Sequence, residues 1–221
     1  MNSETVRRRV KEVGIIPSVR MSSADDARFS AETVAQAGIP IVEITMTVPG
    51  ALEVIAELAH SMPDLIVGAG TIFDLKTARR CVDAGARFLT SPGLDLRIVE
   101  FALKEGVVAM PGALTPTEVT AAWLANADFI KVFPCAHVGG ASYIHALKAP
   151  FPEVPLIAAG GVNQQTAAEF IAAGAAVIGV GRELIPTKAV QQRNGHWITE
   201  LARRFLGIVQ EARSRTDRAT T

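Results

Sequence analysis

The residues best placed for covalent chemistry lie in one short stretch, Ala127-Asp128-Phe129-Ile130-Lys131-Val132-Phe133-Pro134. It is apolar and ends at a proline, which reads as a buried strand rather than a helix. Side chains alternate along a strand, so Phe129, Lys131 and Phe133 share one face and Ile130 and Val132 the other. Burial between two phenylalanines disfavours a charged amine. A neutral lysine amine is a nucleophile that forms Schiff bases with carbonyl compounds. The competing reading is a lysine that reaches the strand end or pairs with a carboxylate. Glu43 supplies a carboxylate in an equally apolar setting, between Ile41-Val42 and Ile44. Held near a Schiff-base lysine it would shuttle protons; otherwise it is a structural partner for a basic group.

Other groups fall where strands should end. Arg20 follows Ile15-Ile16-Pro17-Ser18-Val19 and offers a fork of donors to a carboxylate or phosphate, or to a surface acid. Gly68-Ala69-Gly70-Thr71 combines small residues, which let backbone approach a ligand, with a hydroxyl; a tight turn capped by Thr71 is the alternative. Gly160-Gly161 and Gly179-Val180-Gly181 sit where backbone N–H groups of a barrel often hold phosphate, or where helices simply pack close. The four histidines, His60, His137, His145 and His196, all lie away from strand ends, which argues against metal-dependent barrel chemistry. His137, six residues past Lys131 in the following loop, either lines the pocket or is an ordinary loop residue.

These groups require a scaffold that gathers strand ends. Strand-like runs alternate with helical ones from Ile15 to Val180, giving eight strands. The strand-end positions Arg20, Glu43, Thr71, Ser91, Pro111, Lys131, Gly160 and Gly181 recur every 20 to 29 residues. That spacing predicts an α/β fold, a single-domain (β/α)8 TIM barrel over residues 1–213. A short N-terminal helix, Ser3 to Val13, precedes it, with Ser3 as the expected N-cap, and a C-terminal helix near Trp197 to Arg213 closes it. Residues 214–221 read as a polar, frayed tail. A doubly wound sheet is the alternative, but Ile15 to Ser22 lacks the glycine-rich turn it would bring.

Composition narrows the function. With 22 basic and 22 acidic residues, nothing favours nucleic acid or an anionic membrane as a partner. Two cysteines, Cys81 and Cys135, make no disulfide framework, the first residues are polar and charged, and no apolar run spans a bilayer; the expectation is a cytoplasmic protein.

Taken together, the motifs resemble the class I aldolases acting on 2-keto-3-deoxy-6-phosphogluconate (KDPG) and 4-hydroxy-2-oxoglutarate (KHG). The marks are Val42-Glu43-Ile44-Thr45, Gly68-Ala69-Gly70-Thr71, Ser91-Pro92-Gly93, Pro111-Gly112, Thr115-Pro116-Thr117-Glu118, Asp128 to Pro134, Gly139-Gly140 and Gly160-Gly161-Val162. The resemblance runs from about Ile15 to Ile185. It implies a homotrimer of barrels using no metal and no cofactor, with a 2-keto acid and pyruvate as small-molecule partners. It makes Lys131 the Schiff-base lysine, Glu43 the proton carrier and Thr71 a ligand of the pyruvate carboxylate. It sets Gly160, Gly161 and Gly181 at the phosphate end, and some relatives hold substrate with an arginine at the position of Arg20.

Three departures bear on specificity. Thr47 stands where many relatives carry an arginine that contacts the substrate carboxylate, which leaves that contact to Arg20. Ala158-Ala159-Gly160-Gly161 replaces a Pro-Thr-Gly-Gly run, and Arg182 replaces a serine. Two hydroxyls are exchanged for one guanidinium, which either keeps phosphate by charge or selects an unphosphorylated, dianionic or 6-phosphogalactonate-type substrate. A catalytically idle barrel that binds an anionic metabolite through Arg20, Arg182 and the glycine turns, and a metal-dependent sugar-phosphate epimerase, are the alternatives from other classes.

Overall fold

A computed structural model describes residues 1–220. Helix α1 (Ser3–Val13) comes first, capped by the Asn2 side chain rather than by Ser3. Then follow β1 (Ile15–Val19), α2 (Ala24–Gln36), β2 (Ile41–Thr45), α3 (Ala51–Ser61), β3 (Ile66–Gly70), α4 (Leu75–Asp83), β4 (Phe88–Thr90) and α5 (Leu96–Lys104). The second half runs β5 (Val108–Met110), β6 (Gly112–Ala113), α6 (Pro116–Leu124), β7 (Ile130–Val132), α7 (Ala141–Lys148), β8 (Leu156–Ala159), α8 (Ala167–Ala172) and β9 (Val177–Val180). Two helices, α9 (Thr187–Gln191) and α10 (Gly195–Thr220), end it.

Every strand pairing is parallel, in the order β5-β4-β3-β2-β1-β9-β8-β7-β6. The two ends of that list, β5 and β6, are consecutive pieces of one stave broken at Pro111, whose missing N–H interrupts the ladder. Bonds from Phe129 N to Ala109 O (3.2 Å) and from Lys131 N to Pro111 O (2.8 Å) tie both pieces to β7 and close the barrel. The eight staves expected from the sequence therefore appear, among the described residues, as nine strands. Thr115 opens α6 with a capping box to Glu118, as the Thr-Pro-Thr-Glu pattern predicts.

Period-two alternation sorts the strand residues into two cores. Ile130 and Val132 join Val42, Ile44 and Ala158 beneath the helices. The opposite faces point into the barrel, where Ile16, Ile41, Ile66, Phe88, Phe129, Ile157 and Val177 form an apolar floor. Val6 and Val10 of α1 seal this floor from below. That gives α1 its job: its two buried valines plug the end of the barrel away from the strand termini.

The last helix runs to Thr220, past the end expected at Arg213, and Thr221 lies outside the described residues. Ser214 to Ala219 contains no glycine or proline to stop it. Arg213 ties the helix down by donating to Glu12 O (2.8 Å) and Ala176 O (2.7 Å). The short α9 carries no periodic signal in the sequence; Pro186 at its N-cap is the one local cue. Among the described residues, no helix is long and apolar enough to cross a membrane.

Candidate active site

One inward position beyond the apolar floor, the side chains change character. Ser18 follows Ile16 by two residues, Glu43 follows Ile41, Thr90 follows Phe88 and Lys131 follows Phe129. Strand register pairs Ser18 with Glu43 across β1 and β2, and the closed barrel brings Thr90 of β4 and Lys131 of β7 to the same level. They meet below a cavity of about 470 Å³ at the C-terminal mouth of the barrel, the usual place for a barrel's active site.

At its centre, Lys131 Nζ lies 3.3 Å from Glu43 Oε2. The side chains are 14% and 4% exposed, so this is a buried ion pair. Glu43 is tightly held. Ser18 Oγ donates to Oε1, Thr90 Oγ1 donates to Oε2 at 2.6 Å, and Lys131 Nζ also reaches Thr90 Oγ1 at 3.4 Å. Burial pushes the Glu43 carboxyl up, but the Lys131 charge and donation from Ser18, Thr90 and Lys131 outweigh it, so it is held below its ordinary range. The carboxylate stays ionised and within proton-transfer reach of the amine.

The glycines of β3 have a specific reason. A Cβ on Gly70 would stand 2.3 Å from Glu43 Cδ, and one on Gly68 would stand 2.2 Å from the Phe88 ring. These residues are small to admit Glu43 and Phe88, a role different from the ligand approach or tight turn expected of this run. Thr71, just beyond, has φ +62°, a left-handed conformation uncommon for a β-branched residue. Its hydroxyl accepts a hydrogen bond from Arg20 at 3.2 Å. Arg20 lines the cavity, whereas Thr71 adjoins it only through Arg20.

Gly160, Gly161, Gly181 and Arg182 also line the cavity, at the ends of β8 and β9, and β9 is the strand next to β1. Gly160 and Gly161 adopt φ +85° and +87°, and a Cβ on Gly161 would meet Ala136 at 2.3 Å, so neither position accepts another residue without strain. Arg182 is exposed and forms no ion pair among the described residues; Glu183 beside it also faces the cavity. Thr47 is directed elsewhere, sharing a 2.8 Å hydrogen bond with Thr45. His137 sits exposed in a single 3-10 turn, Cys135–Val138, away from the cavity lining. Burial raises the thiol of Cys135 to about 11 and that of Cys81 to about 12, which leaves both protonated and inert at neutral pH. Among the described residues no group of three His, Cys, Asp or Glu side chains is arranged to hold a metal ion.

Two site residues, Ser18 and Thr90, escaped the sequence reading. The sequence carries one usable signal for them. Each stands two places after an inward apolar residue, in phase with Glu43 and Lys131.

The chain is similar to known proteins over most of its length. The family model described as "KDPG and KHG aldolase" matches residues 6–201. A 2-dehydro-3-deoxy-phosphogluconate aldolase of Treponema pallidum (strain Nichols) is 29% identical over 205 residues, covering 93% of this chain and 98% of the relative. A KDPG aldolase from Legionella pneumophila, solved with pyruvate captured at low pH as a covalent carbinolamine intermediate, superposes with a TM-score of 0.83. It is 28% identical and is covered over 96% of its length by 89% of this chain. A structure described as "Native KDPGal structure" also superposes at 0.83 and 28% identity, with 90% of this chain and 96% of that one covered. With nearly its whole length matched, and with a barrel of the same shape, the chain belongs to the KDPG and KHG aldolase family.

Proposed function

We propose that this aldolase works through a Schiff base on Lys131, without a metal. In the cleavage direction it would split a 2-keto-3-deoxy-6-phospho sugar acid, or 4-hydroxy-2-oxoglutarate, into pyruvate and an aldehyde, glyceraldehyde 3-phosphate or glyoxylate. The observation that carries this reading is the Lys131–Glu43 pair, 3.3 Å apart and buried at the foot of an open cavity. A carboxylate so close to an amine can take its proton and return it repeatedly.

The steps follow from that pair. Glu43 accepts a proton from the Lys131 ammonium, and the freed lone pair attacks the C2 carbonyl to give a carbinolamine. Glu43 returns the proton to the departing hydroxyl, and water leaves with formation of the iminium. Glu43 then removes the C4 hydroxyl proton. The C3–C4 bond breaks, its electrons pass into the iminium, and the aldehyde departs from an enamine. Glu43 protonates C3 of the enamine, and hydrolysis returns pyruvate and free Lys131. The apolar floor beneath keeps water from below, which strengthens each charge interaction in the site.

Arg20, oriented by Thr71, is the anchor for the pyruvate carboxylate. Arg182, with the backbone around Gly160, Gly161 and Gly181, is the anchor for the anionic end of the aldehyde half. A guanidinium in place of a hydroxyl retains a preference for an anion while leaving open a phosphate or a carboxylate, including a 6-phosphogalactonate-type acid. The homotrimer implied by the resemblance belongs to the same reading.

Borohydride reduction in the presence of pyruvate, followed by peptide mass spectrometry, tests it. The expected product is one reduced adduct on Lys131, absent in Lys131→Ala. In that variant Glu43 keeps its Ser18 and Thr90 donors, so circular dichroism should show a folded barrel. No adduct on folded wild-type protein, or turnover by Lys131→Ala, would sink the assignment and favour a barrel that only binds anions.

A further inference from the structure

The proton carrier of this reading has to exist in two states with its own side chain only 4% exposed. As a carboxylate, Glu43 needs donors; as a carboxylic acid, it needs an acceptor for its own proton. Lysine can only donate while it is an ammonium, and the iminium keeps one N–H but no lone pair, so neither can accept from the acid. Thr90 answers both demands. Thr90, on β4, is 2% exposed, and its hydroxyl lies beside both groups, 2.6 Å from Glu43 Oε2 and 3.4 Å from Lys131 Nζ. Among the described residues, Glu43 and Lys131 are the two side-chain partners of that hydroxyl. A buried hydroxyl without partners is costly, so its placement is explained by the pair it bridges. Ser18 donates to the other carboxylate oxygen, Oε1, and fixes the plane of the group.

We propose that the Thr90 hydroxyl relays the proton between Lys131 and Glu43, and that Ser18 positions the carboxylate for this exchange. In the relay, Lys131 Nζ gives a proton to Thr90 Oγ1 while Thr90 gives its own proton to Glu43 Oε2. The amine becomes neutral, the carboxylate becomes an acid, and threonine is unchanged. After the transfer the same hydroxyl accepts from the acid and donates to the neutral amine, so neither state of Glu43 is left unpaired. The sequence alone cannot suggest this, because a threonine in a strand is ordinary and its partners lie 47 and 41 residues away.

This inference rests on the Schiff-base reading, and one reagent separates the two. Pyruvate alone suffices: exchange of its methyl protons in D2O, followed by NMR, reports enamine formation and protonation without any choice of aldehyde. Wild-type protein should exchange the methyl protons and trap pyruvate on Lys131. Thr90→Val, nearly the same size, should still fold and trap, but exchange at least tenfold more slowly. Its acid limb should move up by about one pH unit, because Glu43 loses a donor to its charged form. Thr90→Ser should restore most of the rate. Ser18→Ala should move the acid limb in the same direction with a smaller loss of rate. Wild-type exchange and pH profile in Thr90→Val would overturn the relay while leaving the Schiff base intact, and failure of Thr90→Ser to rescue a slow Thr90→Val would do the same. Absence of trapping and exchange in wild-type protein would overturn both.

Discussion

Gly70→Ala is the sharpest test of the idea that backbone spacing sets the chemistry. The substitution replaces no ionisable group. Gly70 lies in the extended backbone of β3, so alanine introduces no conformational strain of its own. What it introduces is a methyl group 2.3 Å from Glu43 Cδ and Oε1 and 2.6 Å from Cγ. Carbon atoms in contact sit about 3.5–4.0 Å apart, so the carboxylate must retreat by more than about 1 Å. It cannot do so and keep Ser18, Thr90 and Lys131 together, because those donors come from three different strands. Overpacking of this kind costs about 1–3 kcal/mol. In a domain of this length each kcal/mol lowers Tm by about 2–4 °C. A misplacement of about 1 Å can cost a catalytic site about 100-fold. The expected result is a folded protein, a few degrees less stable, that exchanges pyruvate protons about 100-fold more slowly. Gly93→Ala is the control, since nothing lies within 4 Å of the added Cβ. Wild-type exchange in Gly70→Ala, at unchanged Tm, would show that Glu43 swings freely and that its observed position does not govern the rate.

Two further outcomes follow from the same structure. Because the folded protein holds Glu43 ionised below its ordinary value of 4.5, the unfolded chain binds the extra proton. Glu43 therefore contributes stability above that pH and loses it as pH falls through the lower folded value; acid unfolding of Glu43→Gln should show a flatter dependence in that window, and an identical curve would refute the linkage. Gly207, inside α10 with nothing within 4 Å of an added Cβ, carries only the entropic cost of glycine in a helix. Gly207→Ala should stabilise the protein by about 1 kcal/mol in urea unfolding, and a loss of stability would show that the site is more crowded than its surroundings indicate.

Much of the site was legible before folding. A lysine inside an apolar strand and a glutamate inside another are visible as exceptions to a hydrophobic pattern, and such exceptions are expensive enough to be informative. The regular return of strand and helix predicts the barrel, because parallel strands need crossover helices and eight such units close. The departures at Thr47, Ala159 and Arg182 were legible as well, since each changes the chemistry of a strand end.

Other features depend on which strands become neighbours. Ser18 and Thr90 are unremarkable residues in their own segments; the β1–β2 register brings Ser18 to one oxygen of Glu43, and the closed barrel brings Thr90 to the other across β3. Gly68 and Gly70 look like a ligand loop in sequence, yet space reserves them for Phe88 and Glu43. The break at Pro111 and the plug formed by Val6 and Val10 likewise emerge only when the barrel closes. The sequence by itself determined the alternation of elements and the two charged groups buried within them, because local pattern and desolvation act along the chain. Tertiary structure decided how those groups are paired, spaced and supplied with donors, because hydrogen bonds and contacts act between residues that the chain holds far apart.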